Sequence, residues 1–356
     1  NKGSVGFYDF DNDGDFDLFW TEATTNQIHR NNGDGTWTAL PTATTGIPTS
    51  FASQIEGLAA GDVDNDGDID IFLTGGSVSK LYLNNGGTMS FTDSGLTFNN
   101  TNGEGATFID IDNDGDLDLY TNRSGNNRLF INNLGAAAQA NHLFIDIIED
   151  RDAFGLINLE QRFGVGATAT ILDCNGNVIS GIREVNGGYG HGTMEPGVIH
   201  FGLPGGPNTP IVVEINYPRT PAGRITVRQE LTPSAFNNGS INIVTILPTS
   251  GNQAPVANDD DITTPEDTVV NFDPLVDNGN GIDSDPDGDT FTVISITQPA
   301  NGTAVLNGDG TITYTPDPNY FGNDPFTYTI EDDTGCSLVN AQTVGNINMT
   351  VTPVND

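Results

Sequence analysis

A nine-residue acidic motif occurs three times and limits what this chain can fold into. The copies read DFDNDGDFD at residues 9–17, DVDNDGDID at 62–70 and DIDNDGDLD at 110–118, with Asp at every odd position and Gly at the sixth. Carboxylates at this density repel one another unless a cation lies among them, and a ligand set made only of oxygen favours Ca²⁺. The motif therefore predicts three calcium loops.

The five aspartates of each copy are the candidate ligands. Side chains at the first, third and fifth positions of a curling loop can converge on one point, and a glycine at the sixth allows a sharp turn. The seventh residue can offer its backbone carbonyl, and the ninth carboxylate completes the shell. The predicted ligands are Asp9, Asp11, Asp13, Asp15 and Asp17; Asp62, Asp64, Asp66, Asp68 and Asp70; and Asp110, Asp112, Asp114, Asp116 and Asp118.

Two other structures, an EF-hand and a metal-free acidic turn, are alternatives to the calcium loop. An EF-hand requires a bidentate Glu at the twelfth position and helices on both sides, but the twelfth residues here are Trp20, Leu73 and Thr121. A solvated acidic turn without metal is the second alternative. Three near-identical copies favour the calcium loop over that turn.

The motif belongs to a repeating β unit. Strand-like runs flank each loop, and the loop starts are 53 residues apart from Asp9 to Asp62 and 48 apart from Asp62 to Asp110. This is close to the roughly 40 to 50 residues of a propeller blade. A turn of the Asn-Asn-Gly type follows each loop in phase, in IHRNNGDGTW, LYLNNGG and LFINNLG. The period predicts blades of a β-propeller.

Loop and turn together resemble FG-GAP/VCBS repeats, the calcium-loop blades of integrin α-subunit propellers and of many bacterial surface proteins. The resemblance implies a partial β-propeller of three blades over residues 1–140. It also implies that Asp9, Asp11, Asp13 and Asp17 are side-chain ligands and that Asp15 gives its carbonyl, with the same roles in the other two loops. Because closed propellers have about four to eight blades, we expect further blades upstream. The alternatives are blades supplied by other chains in an oligomer and an arrangement that is not a ring.

Residues 141–250 predict a second β-domain, because runs such as HLFIDIIED and IVVEINYP are strand-like and are separated by Gly, Asn and Pro. RFGVGATATI, REVNGGYGHG, IHFGLPG and INYPRTPAG are similar to the ASPIC/UnbV domain, which commonly follows VCBS-type repeats. Tyr217 and Pro218 stand where that family often has Trp-Pro. The resemblance implies no catalytic residue.

Residues 251–356 predict a β-sandwich, since FTVISI, TITYTP and FTYTIED are short strands at sandwich-like spacing. NQAPVANDD and GTITYTPDPNYFGNDPFTYTI resemble the bacterial cadherin-like and Ig-like tandem repeats of large adhesins. Two acidic groups are further candidate calcium ligands, with solvated loops as the alternative. They are Asp283, Asp285, Asp287 and Asp289, and Asp259 with Glu266.

Charge and composition restrict the partners. The chain has 48 acidic and 11 basic residues and a formal net charge of −37, which argues against nucleic acid or an anionic membrane as partner. No apolar run is long enough to cross a bilayer, so we expect no membrane insertion within this segment. Millimolar calcium outside cells suits surface-loop sites, which predicts an extracellular or bacterial cell-surface location. Short apolar runs between turn signals predict an all-β fold with little helix.

These features are compatible with three functions. The favoured hypothesis is a calcium-binding structural or adhesive segment of a large multidomain bacterial adhesin, with a cell-surface protein or glycan as ligand and further copies of itself in an oligomer or fibre. The alternative is a calcium-dependent, lectin-like propeller that binds glycans. A polysaccharide-active enzyme is disfavoured, because the acids belong to repeated loops instead of one unique pair. We therefore expect no catalytic residue.

Overall fold

The computed structural model describes residues 3–22, 25–49, 55–76, 79–98, 103–149, 162–163, 165–185, 198–220, 223–237, 242–246, 252–286, 288–333, 336 and 340–354. These residues are nearly all in strands and loops, and the all-β prediction is confirmed. Helix is confined there to α1 (Thr42–Thr45), α2 (Ala136–Gln139) and a 3-10 helix at Pro233–Phe236. The chain divides into two compact units, Asn1–Gly251 and Asn252–Asp356, each of which is described by itself.

Three antiparallel sheets, called blades 1, 2 and 3, follow one another along unit 1. Each is a meander in which consecutive strands pair. Blade 1 contains β1 (Val5–Tyr8), β2 (Asp17–Thr21), β3 (Asn26–Asn31) and β4 (Trp37–Leu40); blade 2 contains β5 (Ile55–Gly61), β6 (Asp70–Gly75), β7 (Lys80–Asn84) and β8 (Phe91–Asp93); blade 3 contains β9 (Gly103–Ile109), β10 (Asp118–Arg123) and β11 (Arg128–Phe130). In every blade the acidic loop joins the first strand to the second.

Blade 3 differs from the other two at its outer edge. In blades 1 and 2 the Asn-Asn-Gly turn returns the chain into a fourth strand, which pairs with the third. Within the described part of blade 3, β11 pairs with β10 and no fourth strand follows. The chain enters α2 instead and leaves the blade, so the repeating unit is shortened in its third copy.

Apolar side chains from facing blades form two cores. Phe10 and Phe19 of blade 1 pack with Ile71 of blade 2, while Phe72 of blade 2 packs with Phe108 of blade 3. Since side chains alternate across a strand, the strands of blade 2, which lies between the other two, supply both cores. All six residues of β6 are buried, as expected for a strand covered on both faces.

A domain that we call the connector follows blade 3 within unit 1. One sheet contains β12 (His142–Glu149), β13 (Arg162–Phe163), β16 (Val198–Gly202) and β19 (Ile243–Ile246); the other contains β14 (Thr168–Leu172), β15 (Val178–Glu184), β17 (Ile211–Thr220) and β18 (Gly223–Leu231). Leu143 and Ile145 of the first sheet share a core with Ile171 and Val213 of the second. The connector is therefore a β-sandwich, which agrees with the second β-domain that the sequence predicts.

Unit 2 is a second sandwich. One sheet contains β20 (Asp260–Pro265), β22 (Thr290–Ile296), β25 (Gly322–Asn323), β26 (Phe326–Asp333) and β27 (Gln342–Thr352); the other contains β21 (Val270–Phe272), β23 (Gly302–Leu306) and β24 (Ile312–Pro316). Tyr314 and Tyr328 are buried in its core with Ile312 and Ile347. Within the described ranges of both units, no helix has the length and apolarity that a membrane span requires.

Candidate metal centres

The first aspartate organises the backbone of each acidic loop. In loop 1 (residues 9–17), Asp9 accepts the N–H of Asp13 on one oxygen and that of Gly14 on the other, both at 3.1 Å. Loop 2 (62–70) has the same pair of bonds from Asp66 and Gly67 to Asp62, and loop 3 (110–118) has it from Asp114 and Gly115 to Asp110. Because a carboxylate only accepts hydrogen bonds, it stabilises the N–H groups that point into the turn.

Asparagine and glycine allow this turn at loop positions four and six. Both positions have left-handed backbone in every copy. The φ angles are 55°, 60° and 58° at Asn12, Asn65 and Asn113, and 93°, 97° and 95° at Gly14, Gly67 and Gly115. Glycine adopts this conformation without a Cβ clash, and Asn tolerates it better than most residues. The D-N-D-G spacing is thus a backbone requirement as well as a ligand pattern.

Three carboxylates converge in each loop. Ligand oxygens lie within 4.8 Å of one another in the groups Asp9, Asp11 and Asp13; Asp62, Asp64 and Asp66; and Asp110, Asp112 and Asp118. One oxygen each of Asp11 and Asp64 is buried without a hydrogen-bond partner among the described residues. Buried polar atoms are normally satisfied, and a hard cation coordinated by clustered carboxylates satisfies these. The residues present therefore fit a calcium ion.

The ninth aspartate joins its loop to the turn that follows. Asp17 accepts the N–H of Phe10 at 3.0 Å on one oxygen and that of Asn31 at 2.9 Å on the other. The equivalent donors are Val63 and Asn84 to Asp70, and Ile111 and Asn132 to Asp118. All three aspartates are buried. These hydrogen bonds connect the loop to the turn of the same blade, and the sequence did not reveal them. Each carboxylate oxygen keeps a second lone pair, so the aspartate can still act as the predicted calcium ligand.

The seventh aspartate also uses its side chain within the blades. Asp68 accepts the N–H of Gly87 at 2.7 Å, and Asp116 accepts that of Leu134 at 2.9 Å. These donors lie in the segment after the Asn-Asn turn, so the two side chains face that segment. The arrangement is compatible with the expectation that position seven offers its backbone carbonyl to a cation.

Asparagines at loop position four connect neighbouring loops. Asn12 donates to the carboxylate of Asp68 at 2.7 Å and to the carbonyl of Gly67 at 3.5 Å. Asn65 donates to the equivalent carbonyl of the next loop, that of Gly115, at 3.0 Å. The three loops therefore form one row, in which the conformation of each constrains the next.

Asparagines of the Asn-Asn-Gly turns make a second set of connections. Asn84 of blade 2 donates to the carbonyl of Phe10 in loop 1 at 2.8 Å, and Asn132 of blade 3 donates to that of Val63 in loop 2 at 2.7 Å. Because both acceptors are second in their loops, these bonds repeat with the blade. The phase between loop and turn that is visible in the sequence thus has a structural cause.

Burial raises the pKa of several loop carboxylates. Desolvation is the largest cause, and it raises the pKa of Asp17 to about 8, that of Asp62 to about 7 and those of Asp11 and Asp64 to about 6. Repulsion between neighbouring carboxylates adds to the rise in pKa. A bound divalent cation supplies opposite charge at the same place and favours the ionised form of these groups.

Loop 1 forms ion pairs with an arginine of its own blade, and the described residues of blades 2 and 3 show no equivalent pair. Arg30 in β3 places Nε 2.8 Å from Oδ2 of Asp11 and Nη2 3.4 Å from Oδ2 of Asp13. The equivalent residues before the other two Asn-Asn turns are Leu83 and Ile131. Since a guanidinium on two of the three convergent carboxylates competes with a cation for them, loop 1 is expected to bind calcium more weakly than its neighbours.

The connector contacts loops 1 and 2 through backbone N–H groups. Ile182 donates to Asp9 and Gly202 donates to Asp62, each at 2.9 Å, so these two aspartates are shared between loop and connector. A Cβ on Gly202 would lie 2.1 Å from a carboxylate oxygen of Asp62, which explains a glycine at this position. Sequence reasoning missed the interface, because no local pattern marks residues that meet across 140 or more positions.

Arg183 is a buried cation at the same interface. Its side chain is buried against loop 2, and Nη2 donates a hydrogen bond to the carbonyl of Gly67 at 3.3 Å. Burial lowers the pKa of Arg183, and the carboxylates of Asp62 and Asp9 act in the opposite direction. Arg183 therefore offsets part of the negative charge of loops 1 and 2 from the connector side. No motif in the sequence identified it.

The candidate calcium ligands of unit 2 have hydrogen-bond partners within the unit. Asp283 accepts the N–H of Asn258 at 2.7 Å and the hydroxyl of Tyr328 at 2.9 Å. Asp259 accepts from Asn346, Glu266 from Val354, and Asp285 from Gly288 and Asp289. Asp287 lies outside the described residues. No three carboxylates of the described part of unit 2 place ligand atoms within 4.8 Å, and calcium binding there stays a prediction.

Two family models match the chain. A model described as FG-GAP-like repeat matches residues 9–73 and 62–121, and one described as bacterial Ig domain matches residues 252–350. The first match contains all three acidic loops, and the second covers most of unit 2. The predictions of FG-GAP-type repeats and of an Ig-like domain are confirmed. No curated protein matches the chain.

The chain is similar at a low level to three solved structures. Endo-fucoidan hydrolase MfFcnA9 from glycoside hydrolase family 107 is 17% identical with a TM-score of 0.19, and the match covers 43% of this chain and 24% of that one. Surface layer protein SbsC, domains 4–9, is 10% identical with a TM-score of 0.19, covering 85% and 31%. Drosophila N-cadherin EC1–4 is 10% identical with a TM-score of 0.23, covering 99% and 92%. Similarity at this level carries no argument about function.

In the presence of a chelator, the protein is expected to lose stability as the pH rises from about 4 to about 8. The pKa of Asp17 is raised from 3.8 to about 8 in the folded state. The folded state therefore binds more protons than the unfolded chain in this interval, and deprotonation favours unfolding. Thermal melts across the interval measure the trend. Melts with Ca²⁺ are the control, in which the decline should disappear; stability that rises with pH in chelator would contradict the assignment.

Replacing Arg30 with leucine, the residue at the equivalent position of blade 2, is expected to raise the calcium affinity of loop 1 about two- to fivefold. The gain is small because Arg30 is 47% exposed and an exposed ion pair contributes at most about 1 kcal/mol. Calorimetric calcium titration measures the change. Arg228→Leu is the matched control, since it removes an exposed pair with Glu214 in the connector. An equal effect of both variants would exclude competition by Arg30.

Proposed function

We infer that this chain is a calcium-stabilised structural and adhesive segment of a large multidomain protein at the bacterial cell surface or in its surroundings. FG-GAP-like repeats and bacterial Ig domains are typical of extracellular, adhesin-like multidomain proteins, and this chain contains both. The observation that carries the calcium part is the convergence of three carboxylates in each of three equivalent loops. The cell-surface location follows from the types of module and from the calcium concentration that such loops require.

Residues of each loop supply the calcium ligands and hold the loop in its conformation. In loop 2, Asp62, Asp64 and Asp66 would hold calcium with the carbonyl of Asp68 and with Asp70. Calcium supplies the positive charge that buried carboxylates lack. The first aspartate shapes the loop and the ninth joins it to the next turn. Occupied loops would therefore stiffen the row of blades, which suits a protein that transmits force or presents a binding surface.

The proposal assigns three domains to the chain. Residues 1–140 are FG-GAP/VCBS repeats, 141–250 form an ASPIC/UnbV-like domain, and 251–356 form a cadherin-like or Ig-like sandwich. The three blades, the connector sandwich and unit 2 support this division. In this proposal the blades form the binding head, the connector is a spacer and unit 2 is part of a stalk.

The charge of the chain and its repeated loops also support a choice of partners and a non-catalytic role. The ligand is a cell-surface protein or a glycan, and further copies of the chain assemble with it in an oligomer or fibre. The net charge of −37 disfavours nucleic acid and anionic lipid. No catalysis is part of the proposal. A non-catalytic role is supported because the loop acids have the same backbone partners in three copies. A catalytic pair of carboxylates occurs once in an enzyme.

Removing calcium is expected to lower the melting temperature of the full chain. An ion that binds only the folded state stabilises it by about 2.7 kcal/mol per site at a hundred times its Kd. Asp64→Asn should shrink the difference between the melting temperatures in calcium and in chelator, since it removes a convergent carboxylate. The control is Asp34→Asn, which alters an exposed turn residue bonded to Thr36. Equal melting temperatures with and without calcium would refute the proposal.

The adhesive role predicts retention of the full chain on a carbohydrate array or on immobilised cell-surface proteins in calcium, and its release by chelator. Asp64→Asn should weaken retention, while Asp34→Asn should leave it unchanged. Binding assays on both surfaces measure this. If the folded, calcium-loaded chain binds neither surface, the adhesive part of the proposal is wrong, and calcium stabilisation stands on the melting experiment alone.

A further inference from the structure

Two glycines of the connector lie against the first aspartates of loops 1 and 2. Gly181 is in β15, and Gly202 is the last residue of β16. Neither glycine has a positive φ angle, so the backbone at these positions does not itself require glycine. A Cβ at Gly181 would collide with Oδ2 of Asp9, and a Cβ at Gly202 would collide with Oδ2 of Asp62. Close approach to a loop carboxylate is therefore the reason for glycine in both strands.

The close approach allows one hydrogen bond from the connector to each of these two loops. The peptide N–H of Ile182 donates to Oδ2 of Asp9, and that of Gly202 donates to Oδ2 of Asp62, each at 2.9 Å. The same two oxygens accept the N–H of the sixth residue of their own loop. Since a carboxylate oxygen has two lone pairs, both lone pairs of each Oδ2 have a donor.

The other oxygen of each first aspartate can accept a cation. Oδ1 of Asp9 accepts one N–H, from Asp13, and Oδ1 of Asp62 accepts one, from Asp66. Each Oδ1 therefore keeps a lone pair. A rotation that turned Oδ1 out of the loop would break both hydrogen bonds at Oδ2, which is costly for a buried carboxylate. The N–H of the connector thus holds the first aspartate in the orientation that calcium binding requires.

Loop 3 has the same motif without this donor. Oδ2 of Asp110 accepts the N–H of Gly115 at 3.1 Å, and no N–H of the described connector residues bonds to Asp110. The connector meets loop 3 through the ring of His142, which lies where a Cβ of Gly115 would be. Loop 3 is therefore an internal reference for the effect of the connector on a calcium loop.

Further hydrogen bonds from β15 end on the loops. The hydroxyl of Ser180 donates to the carbonyl of Gly67 at 2.8 Å, and the N–H of Gly181 donates to Oδ1 of Asn12 at 2.8 Å. Asn12 in turn donates to the carboxylate of Asp68. The groups that attach this strand to the blades therefore have positions that depend on the conformation of loops 1 and 2.

We propose that the connector completes the calcium sites of loops 1 and 2, and that calcium in these loops fastens the connector to the blades. Ile182 and Gly202 are positioning residues, because their N–H groups orient the first aspartate and do not contact the ion. By linkage, the factor by which docking raises calcium affinity equals the factor by which calcium strengthens docking. Loop 3 lies outside this coupling. The inference rests on the calcium part of the proposed function and adds a regulated domain contact to it.

Calorimetric calcium titration of the full chain tests the effect of the connector on the loops. Gly202→Ala should lower the affinity of one site on the order of tenfold, as expected for the loss of a hydrogen bond to a charged group. In an Asp64→Asn background, which disables loop 2, Gly202→Ala should have no further effect; in an Asp112→Asn background, which disables loop 3, the loss should persist. Gly205→Ala is the matched control, since its Cβ would have no neighbouring atom closer than 3.6 Å.

Amide hydrogen exchange measured by mass spectrometry tests the effect of calcium on the connector, without a substitution in the connector. Calcium should slow exchange in the peptides that contain Ile182 and Gly202 by the same factor, about tenfold. Asp64→Asn should abolish this protection at Gly202, while Asp112→Asn should leave it unchanged. A contact that is only structural would be protected equally in calcium and in chelator.

Gly181→Ala provides the equivalent titration for loop 1, with Asp11→Asn as the background that disables the loop. The atoms that its Cβ would meet belong to the side chains of Asp9 and Asn12, so this variant is expected to fold even if Gly202→Ala does not. Circular dichroism verifies the fold of each variant.

Two results would overturn the coupling and leave calcium binding standing. One is a calcium affinity that is the same in the wild type and in the folded Gly181→Ala and Gly202→Ala variants. The other is exchange at Gly202 that does not respond to calcium, or that Asp64→Asn and Asp112→Asn change equally. A wild type that binds no calcium would instead overturn the proposed function, and the coupling with it.

Discussion

The hydrogen bonds from backbone N–H groups to the first aspartate of each loop are the interaction on which unit 1 depends. Asp9 accepts two such bonds from its own loop and a third from Ile182 of the connector. One carboxylate thus determines the loop turn, positions the neighbouring carboxylates and attaches the next domain. Because these roles share one group, the conformation of the loop and the docking of the connector are coupled, and a cation that binds the loop acts on both.

Charge and burial oppose each other throughout the blades. Five aspartates in nine residues would repel one another in any compact arrangement, and desolvation raises the pKa of buried members such as Asp17 and Asp62. The chain offsets this with N–H donors in every loop, with Arg30 beside loop 1 and with Arg183 behind loops 1 and 2. Residues 252–356 contain no Lys, Arg or His, so the acids of unit 2 depend on N–H and hydroxyl donors.

Features confined to one repeat could be predicted from the sequence. The strand, loop and turn of each blade follow from the motif and its period, and the left-handed positions follow from Asn and Gly. The bracing role of Asp17, the ion pairs of Arg30 with loop 1 and the partners of Asp283 could not be predicted. Each depends on which strands lie side by side, and strand register brings together residues that no local spacing relates, such as Asp283 and Tyr328.

The sequence by itself determined the all-β class and the three acidic loops, because nine consecutive residues and their φ angles are sufficient for the turn. It did not determine which acids converge, since loop 3 brings Asp118 together with Asp110 and Asp112, whereas loops 1 and 2 use their fifth residue. Tertiary structure decided which of the equivalent faces are covered. Phe72 and Tyr120 occupy the same place in the repeat, yet one is buried and the other exposed. Burial depends on the neighbour that packs against a face, and the third blade has no following blade among the described residues. A local motif cannot encode that difference.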